Sequence, residues 1–390
     1  MRMKTNNAVA FLKKYTMVLA LVVVAVFFSF ATQGKILYPQ NINNLISQNG
    51  YVFVLAAGML LCILTGGNID LAVGSVVCFA GAIGAVMMQA GAGLWLSVLA
   101  MLATGLAIGV FQGFWISKIH VPAFIATLAG MYAFRGLSNV VLQGYAVAIN
   151  KSAFLNIFGG GADCYLPDFL GGGSLNMTCF LLGIVIAAIY ALLTVRRVLV
   201  QKKMGIIQSP LGELARTAVL CVLIIWLFYK LAQYKGVPTV LIWIALVLGL
   251  YGYITNKTAI GRHLYAVGGN EKATALSGVK TRNVFLFAYA NMGLLAGLAG
   301  ILTVARAASA QPTYGQGYEM DAIAACFIGG ASAYGGTGKI SGVIIGAVLM
   351  GLINQGMSIM GIDSNYQRVV KGIVLLLAVM FDVLSKREKR

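Results

Sequence analysis

Two histidines, ten acidic residues and six cysteines are the stock from which this 390-residue chain could build acid–base, metal or nucleophilic chemistry. His120 and His263 stand far apart in segments read as loops, and no nucleophile is spaced to pair with either. The cysteines, at 62, 78, 164, 179, 221 and 326, follow none of the short spacings that ligate zinc. Only Cys164 falls in a clearly external loop, so no structural disulfide is expected. Gly338-Lys339 lies in a glycine-rich stretch, but a phosphate-binding loop needs glycine five residues before that pair and Ser or Thr after it. Those places hold Ala333 and Ile340. No catalytic residue, metal site or cofactor is expected on this chain.

The polar residues that remain of interest are those lodged in apolar surroundings. The chain is 60% hydrophobic and 10% charged, against about 25% charged in an ordinary soluble domain. Its apolar residues come in blocks of the length that crosses a bilayer, roughly 20 residues for a core of about 30 Å. No alternating barrel-type strands appear, so the fold class is all-α, a polytopic bundle forming one domain over 1–390. Candidate spans fall near 16–31, 46–65, 71–90, 94–116, 121–142, 177–195, 214–232, 237–255, 284–305, 320–335, 341–360 and 366–384. That is about 12 helices, with 10 as the lower bound. The first, after Lys13 and Lys14, is read as an uncleaved helix although Ser29-Phe30-Ala31 looks like a cleavage site.

The formal charge of +18 raises the question of nucleic acid. Its distribution answers otherwise. With the N-terminus inside, one side collects Arg2, Lys4, Lys13, Lys14, Lys118, Arg196, Arg197, Lys202, Lys203, Arg216, Lys257, Arg262, Lys272, Lys280, Arg282, Lys339, Lys386, Arg387, Lys389 and Arg390. The other side or its boundary holds only Lys35, Lys151, Lys230, Lys235, Arg306, Arg368 and Lys371. This is the positive-inside bias, placing both termini in the cytoplasm and making lipid, not nucleic acid, the surrounding partner.

Within that frame, five polar residues are candidates for a translocation path or gate. Asp70 follows a Gly-Gly-Asn turn and opens the third span, where N-capping and a cytoplasmic gate are the two readings. Arg135 lies inside the fifth span, where a charge costs at least ~2.5 kcal/mol and faces a bundle interior or wet cavity. Asn291, Asn354 and Gln355 lie within apolar spans, suited to interhelical hydrogen bonding first and solute passage second. Glu319 and Asp321 precede the tenth span, and capping is their plain reading. Gly105, Gly109 and Gly113, with Gly293 and Gly297 and with Gly342 and Gly346, lay flat helix faces for packing within the subunit or between two copies. No convincing internal repeat is found.

Three loops are long. Residues 143–176 form an external loop, 196–213 a basic internal loop and 256–283 an internal loop of another character. In the last, Asn270 suits an N-cap, Glu271 the positive end of a helix and Gly278 its left-handed close. About two turns of helix are therefore expected outside the membrane, comprising Asn270, Glu271, Lys272, Ala273, Thr274, Ala275, Leu276 and Ser277.

Thr65-Gly-Gly-Asn-Ile-Asp-Leu-Ala-Val-Gly-Ser75 resembles the Gly-Gly-Ile-Asp-Leu-Ser-Val-Gly-Ser signature of ribose/xylose-type ABC permeases. Val121-Pro-Ala-Phe-Ile-Ala-Thr-Leu-Ala-Gly-Met131 with Arg135-Gly136, Tyr265 to Gly278, and Asp321-Ala-Ile-Ala-Ala-Cys-Phe-Ile-Gly-Gly330 are similar to later segments of that family, in order. Asn68 is an apparent insertion and Ala72 stands where serine is usual. The added external segment and hairpin over 150–235 is similar to the longer xylose and multiple-monosaccharide branch. The resemblance implies a permease of the cell inner membrane that works as a homodimer with a second permease copy. It implies a cytoplasmic ATP-binding subunit, where ATP is hydrolysed, and an external sugar-binding protein. Asn270–Ser277 would then be the coupling helix of the cytoplasmic loop 256–283.

Two rivals are carried. Branched-chain amino acids could be the cargo of the same architecture, and an ion-coupled secondary sugar transporter could fold similarly. The second places acids near the membrane midplane, whereas nearly all ten acids here fall in loops or at span ends.

Overall fold

The computed structural model describes residues 2–173, 175–205 and 211–387. Lys389, Arg390 and residues 206–210 of the basic loop lie outside the described residues, as do the side chains of Arg2, Lys4, Lys13, Lys14, Lys386 and Arg387.

Sixteen α-helices follow one another: α1 (Arg2–Ala31), α2 (Pro39–Gln48), α3 (Gly50–Leu64), α4 (Val73–Gln89), α5 (Leu94–Ser117), α6 (Ala123–Leu142), α7 (Ser152–Phe158), α8 (Met177–Lys203), α9 (Leu211–Ala232), α10 (Thr239–Lys257), α11 (Ala259–Gly269), α12 (Glu271–Leu276), α13 (Thr281–Ala307), α14 (Tyr318–Ile328), α15 (Ile340–Ile359) and α16 (Ser364–Arg387). A two-residue ribbon accompanies them: β1 (Val147–Ala148) runs antiparallel to β2 (Ser309–Ala310), with Val147 opposite Ala310. The molecule is a polytopic helical membrane protein.

Among the described residues, seven helices are long and apolar enough to cross a membrane: α5, α6, α8, α9, α10, α13 and α15. Helices α2 and α3, bent by 42° at Asn49, have the length and composition of an eighth when taken together. Large apolar side chains on the outer helices, such as Leu192 on α8, Val222 on α9 and Leu376 on α16, stay exposed. Hydrocarbon, not water, is the solvent that suits them. By contrast α3 is buried from Val52 to Leu64 and, with α13, forms the centre of the bundle.

Four of the twelve expected spans, at 16–31, 71–90, 320–335 and 366–384, are not among these eight, and two of the four are interrupted by turns. The one placed at 71–90 becomes α4, which starts only at Val73 and is preceded by the non-helical residues 65–72. The one placed at 320–335 becomes α14, an 11-residue helix ending at Ile328. Hydropathy registers apolar residues whatever the path of the backbone, whereas glycines with positive φ at 66, 67, 315, 317 and 330 turn the chain here. The twelve blocks are apolar as expected, but fewer are complete spans.

The two interrupted elements occupy matching places. At one end of the bundle, Gly336 N donates to Leu64 O at 3.1 Å, so the exit of α3 meets the α14–α15 connection. At the opposite end lie the β1–β2 ribbon and the bond from Ile149 N to Ala308 O, 2.9 Å. Helix α3 therefore runs toward the first end and α13 away from it. Each is followed by a non-helical segment and a half-helix, α4 or α14. Helix α4 packs on α5, α6 and α13, and α14 packs on α15, α16 and α3. The halves α3–α6 and α13–α16 thus repeat one arrangement in opposite directions, as in transporters built on inverted repeats.

Small residues let the halves close. A Cβ on Gly105 would lie 2.3 Å from Gly293 O, and one on Gly293 would lie 2.2 Å from Gly105 O. The glycine faces of α5 and α13 are therefore used against each other inside one subunit. Gly342 and Gly346 play the same part, against Gly329 and Ala325 of the α14 side.

Candidate functional site

The half-helices begin beside one another in the bundle interior. A Cβ on Gly74 would lie 2.0 Å from Gly315 O, and one on Gly315 would lie 2.0 Å from Gly74 O. No side chain fits between the two strands of backbone, so both positions require glycine. Helix N-termini carry partial positive charge, and acids gather at this junction. Asp70 Oδ1 accepts from Ala72 N at 2.8 Å and the residue is buried. It shapes the turn before α4 rather than capping the helix, whose cap position is Ala72. A Cβ at Gly74 would lie 2.5 Å from Glu319 Oε2, so that carboxylate sits against the start of α4.

Around the start of α14 the polar groups are knotted together. Asp321 is fully buried, and its Oδ2 accepts from Tyr51 Oη at 2.6 Å and Lys371 Nζ at 2.9 Å. Asn354 Nδ2 approaches the same oxygen at 3.5 Å and donates to Asn49 Oδ1 at 3.0 Å. Tyr51 also stacks on Tyr318, with ring centroids 3.5 Å apart. One carboxylate thereby joins α3, α14, α15 and α16. From α6, Arg135 Nη1 donates to Pro312 O at 3.1 Å and Tyr314 O at 2.6 Å, fastening the segment that leads into α14.

Of the five path candidates, Asp70, Arg135 and Asn354 are brought to this junction. The other two are not. Asn291 accepts from Tyr251 Oη at 2.8 Å and donates to Phe287 O at 2.8 Å, tying α10 to α13. Gln355 is buried, with its Oε1 lacking a partner. Sequence reasoning missed Tyr51 and Lys371 and took Asp321 for a helix cap. An available signal was Lys371 itself, a cation that directly precedes the apolar run 372–381 of α16.

At the far end, α12 stands clear of the bundle. Asn270 Oδ1 accepts from Ala273 N at 3.0 Å, capping α12, and Gly278 closes it with φ +85°. Thr274 is buried toward the bundle, while Glu271, Lys272, Ala273, Ala275, Leu276 and Ser277 are exposed. Leu276 is 90% exposed, an unusual state for a leucine held on a capped helix. Helix α11 anchors this piece: Tyr265 Oη donates to Gly338 O at 2.8 Å, and a Cβ on Gly268 would lie 1.8 Å from Leu64 O. The α11–α12 piece is thus held against the end of α3 and the loop after α14.

On the external side of the expected topology, Asp168 organises its own loop. Its carboxylate accepts from Leu170 N, Gly172 N, Met177 N, Thr178 N and Thr178 Oγ1 at 2.8 to 3.3 Å. These donors, that of Gly172 first, hold the Asp168 carboxyl well below the usual carboxylate range.

A bundle with two interrupted spans meeting in its interior and a rigid exposed helix at one end is the build of a membrane transport subunit. The chain belongs to the family described as branched-chain amino acid transport system / permease component, whose model matches residues 41–379. It is 36% identical over 382 residues to the xylose transport system permease protein of Haemophilus influenzae, covering 97% of this chain and 98% of that protein. It is 35% identical to the Escherichia coli K12 xylose transport system permease protein, over 96% of this chain and 93% of that one. The ribose import permease protein of Bacillus subtilis is 34% identical over 347 residues, 89% of this chain and 85% of its own length. No solved structure matches the chain.

Proposed function

We propose that this chain is the membrane-spanning permease subunit of an ATP-driven, binding-protein-dependent importer of monosaccharides, xylose-like or several sugars. The observation that carries the reading is near-full-length likeness to xylose permeases, which extends through the added segment at 150–235. It is a multi-pass protein of the inner membrane with both termini in the cytoplasm. ATP is hydrolysed on a separate cytoplasmic subunit, an external sugar-binding protein delivers the solute, and a second copy of the chain completes the path within the lipid.

In this reading Asn270–Ser277 couples to the ATP-binding subunit, and its anchorage through α11 to the end of α3 and the loop after α14 supports that role. Asp70, Arg135 and Asn354 act at the gate formed where α4 and α14 meet. Asn291 and Gln355 contribute to the path through helix packing. Nucleic acid has no part, since the cations follow topology.

Reconstitution tests the reading. The chain is placed in vesicles with its ATP-binding subunit and binding protein, and sugar uptake is followed. Uptake requiring all three and ATP is expected; uptake by the chain alone, driven by an ion gradient, sinks it. The family description names branched-chain amino acids, so leucine is included as competitor. Competition by leucine and not by xylose would move the cargo to that class.

A further inference from the structure

At the end of the bundle opposite α12, a cavity of about 120 Å3 opens between α2, α3, α13 and the segment leading to α14. Ser47, Tyr51, Thr303, Arg306, Tyr314 and Tyr318 line it. Three of these are tyrosines, and no acidic residue is among the lining. Arg306 Nε is buried without a hydrogen-bond partner among the described residues, so this wall holds a polar group that the protein itself does not satisfy. Aromatic faces beside a few fixed polar groups are the chemistry of a small neutral ligand with one apolar and one hydrogen-bonding side. A sugar ring is such a ligand, carrying C–H faces and a rim of hydroxyls. A metal or coupling cation is poorly served, for the only charge on the lining is positive.

The geometry points to this cavity as a transit site for a monosaccharide on its way to the gate. Arg306 and Thr303 would meet hydroxyls while Tyr314 and Tyr318 offer their ring faces. The inference rests on the importer reading and adds to it a place. The cavity wall is also part of the buried polar knot, because Tyr51 lines the cavity and its hydroxyl donates to Asp321 Oδ2 at 2.6 Å. Arg135 holds the carbonyl of Tyr314, a second wall residue, at 2.6 Å. A solute seated here therefore touches both fastenings of α14, which ties occupancy to the half-helix junction.

The test uses the reconstituted complex with ATP-binding subunit and binding protein. Thr303→Cys and Ser47→Cys place a thiol in the wall, Ser358→Cys at an exposed position of α15 serves as control, and the unsubstituted chain gives the blank for native cysteines. Alkylation by a small thiosulfonate reagent is timed with and without D-xylose or D-ribose. Transit through the cavity is expected to slow alkylation of the wall cysteines about tenfold when sugar stands tenfold above its half-protecting concentration. Alkylation should then block uptake. The Ser358→Cys rate should not respond to sugar. Wall cysteines that react at one rate whatever the sugar, or not at all, with uptake intact after reagent treatment, overturn the site. Should one wall variant fail to assemble, the other decides. Uptake by the unsubstituted complex that ignores ATP or the binding protein is scored first, and overturns the importer reading instead.

Discussion

Asp321 on α14 and Lys371 on α16 form an ion pair at 2.9 Å, with the aspartate side chain fully buried and the lysine 18% exposed. Tyr51 completes the carboxylate's shell on Oδ2, while Oδ1 has no partner. A charge so placed tolerates the bilayer interior only while paired. Lys371→Met should therefore destabilise by about 3–5 kcal/mol, because it strands a buried carboxylate. Asp321→Asn with Lys371→Met should recover much of that loss, since both charges go together. Thermal unfolding in detergent of the two single variants and the double variant measures the coupling. Losses that simply add would mean the pair is not a unit.

The α5–α13 seam makes a sterically sharper prediction. A Cβ at Gly293 falls 2.2 Å from the carbonyl oxygen of Gly105, and helix backbone cannot yield as a side chain can. Gly293→Ala should cost roughly 1–3 kcal/mol by overpacking. Gly249, on α10, has nothing within 4 Å of its added Cβ. Gly249→Ala should be neutral or stabilising by up to about 1 kcal/mol, through helix propensity. Equal melting shifts for the two would refute the seam as the close contact.

The contrast between these features and α12 explains what could be read in advance. Capping is local chemistry: Asn270 and Gly278 bracket six helical residues and report them without reference to the rest of the chain. Hydropathy likewise reports a helix such as α8, whose apolar run is continuous. Nothing local reports that Gly74 will meet Gly315, or that Asp321 will meet Lys371, 50 residues on. An alanine-rich half-helix such as α14 has the hydropathy of a span without its length. Asp70 is legible as an acid opening a span, for a cap or a gate, but its bond to Ala72 N, which shapes the turn, depends on a backbone path that glycines at 66 and 67 allow and do not specify.

Asp168 gives a pH prediction outside the membrane. Its carboxyl is held below the ordinary range by five donors, so the unfolded loop binds protons more readily than the folded one. The stabilisation is full above the ordinary aspartate value, about 3.9, and is lost as pH falls below it toward the depressed folded value. Hydrogen exchange of 168–178, corrected for intrinsic rates, should thus show protection that is flat at neutral pH and declines in acid. Asp168→Asn should exchange faster at neutral pH and lose the acid-dependent step. An unchanged acid profile in that variant would assign the step to another group.

Leu276 separates docking from folding. It is 90% exposed on a helix whose buried contact is Thr274, so replacing it should leave the permease's own melting temperature unchanged. If the ATP-binding subunit covers it, that contact removes a leucine side chain from water, an effect of about 1.5–3 kcal/mol. Leu276→Asp would forfeit this and set a charge in the interface, weakening association by roughly ten- to a hundredfold or more. Titrating the ATP-binding subunit onto immobilised permease reads the change directly. Thr274→Val, on the inner face, should act the other way round, lowering permease stability and altering affinity little. Wild-type affinity in Leu276→Asp would remove α12 as the docking element, and would direct attention to Arg196, Arg197, Lys202 and Lys203, which the sequence placed in a loop and which form the basic end of α8, on the same side of the expected topology.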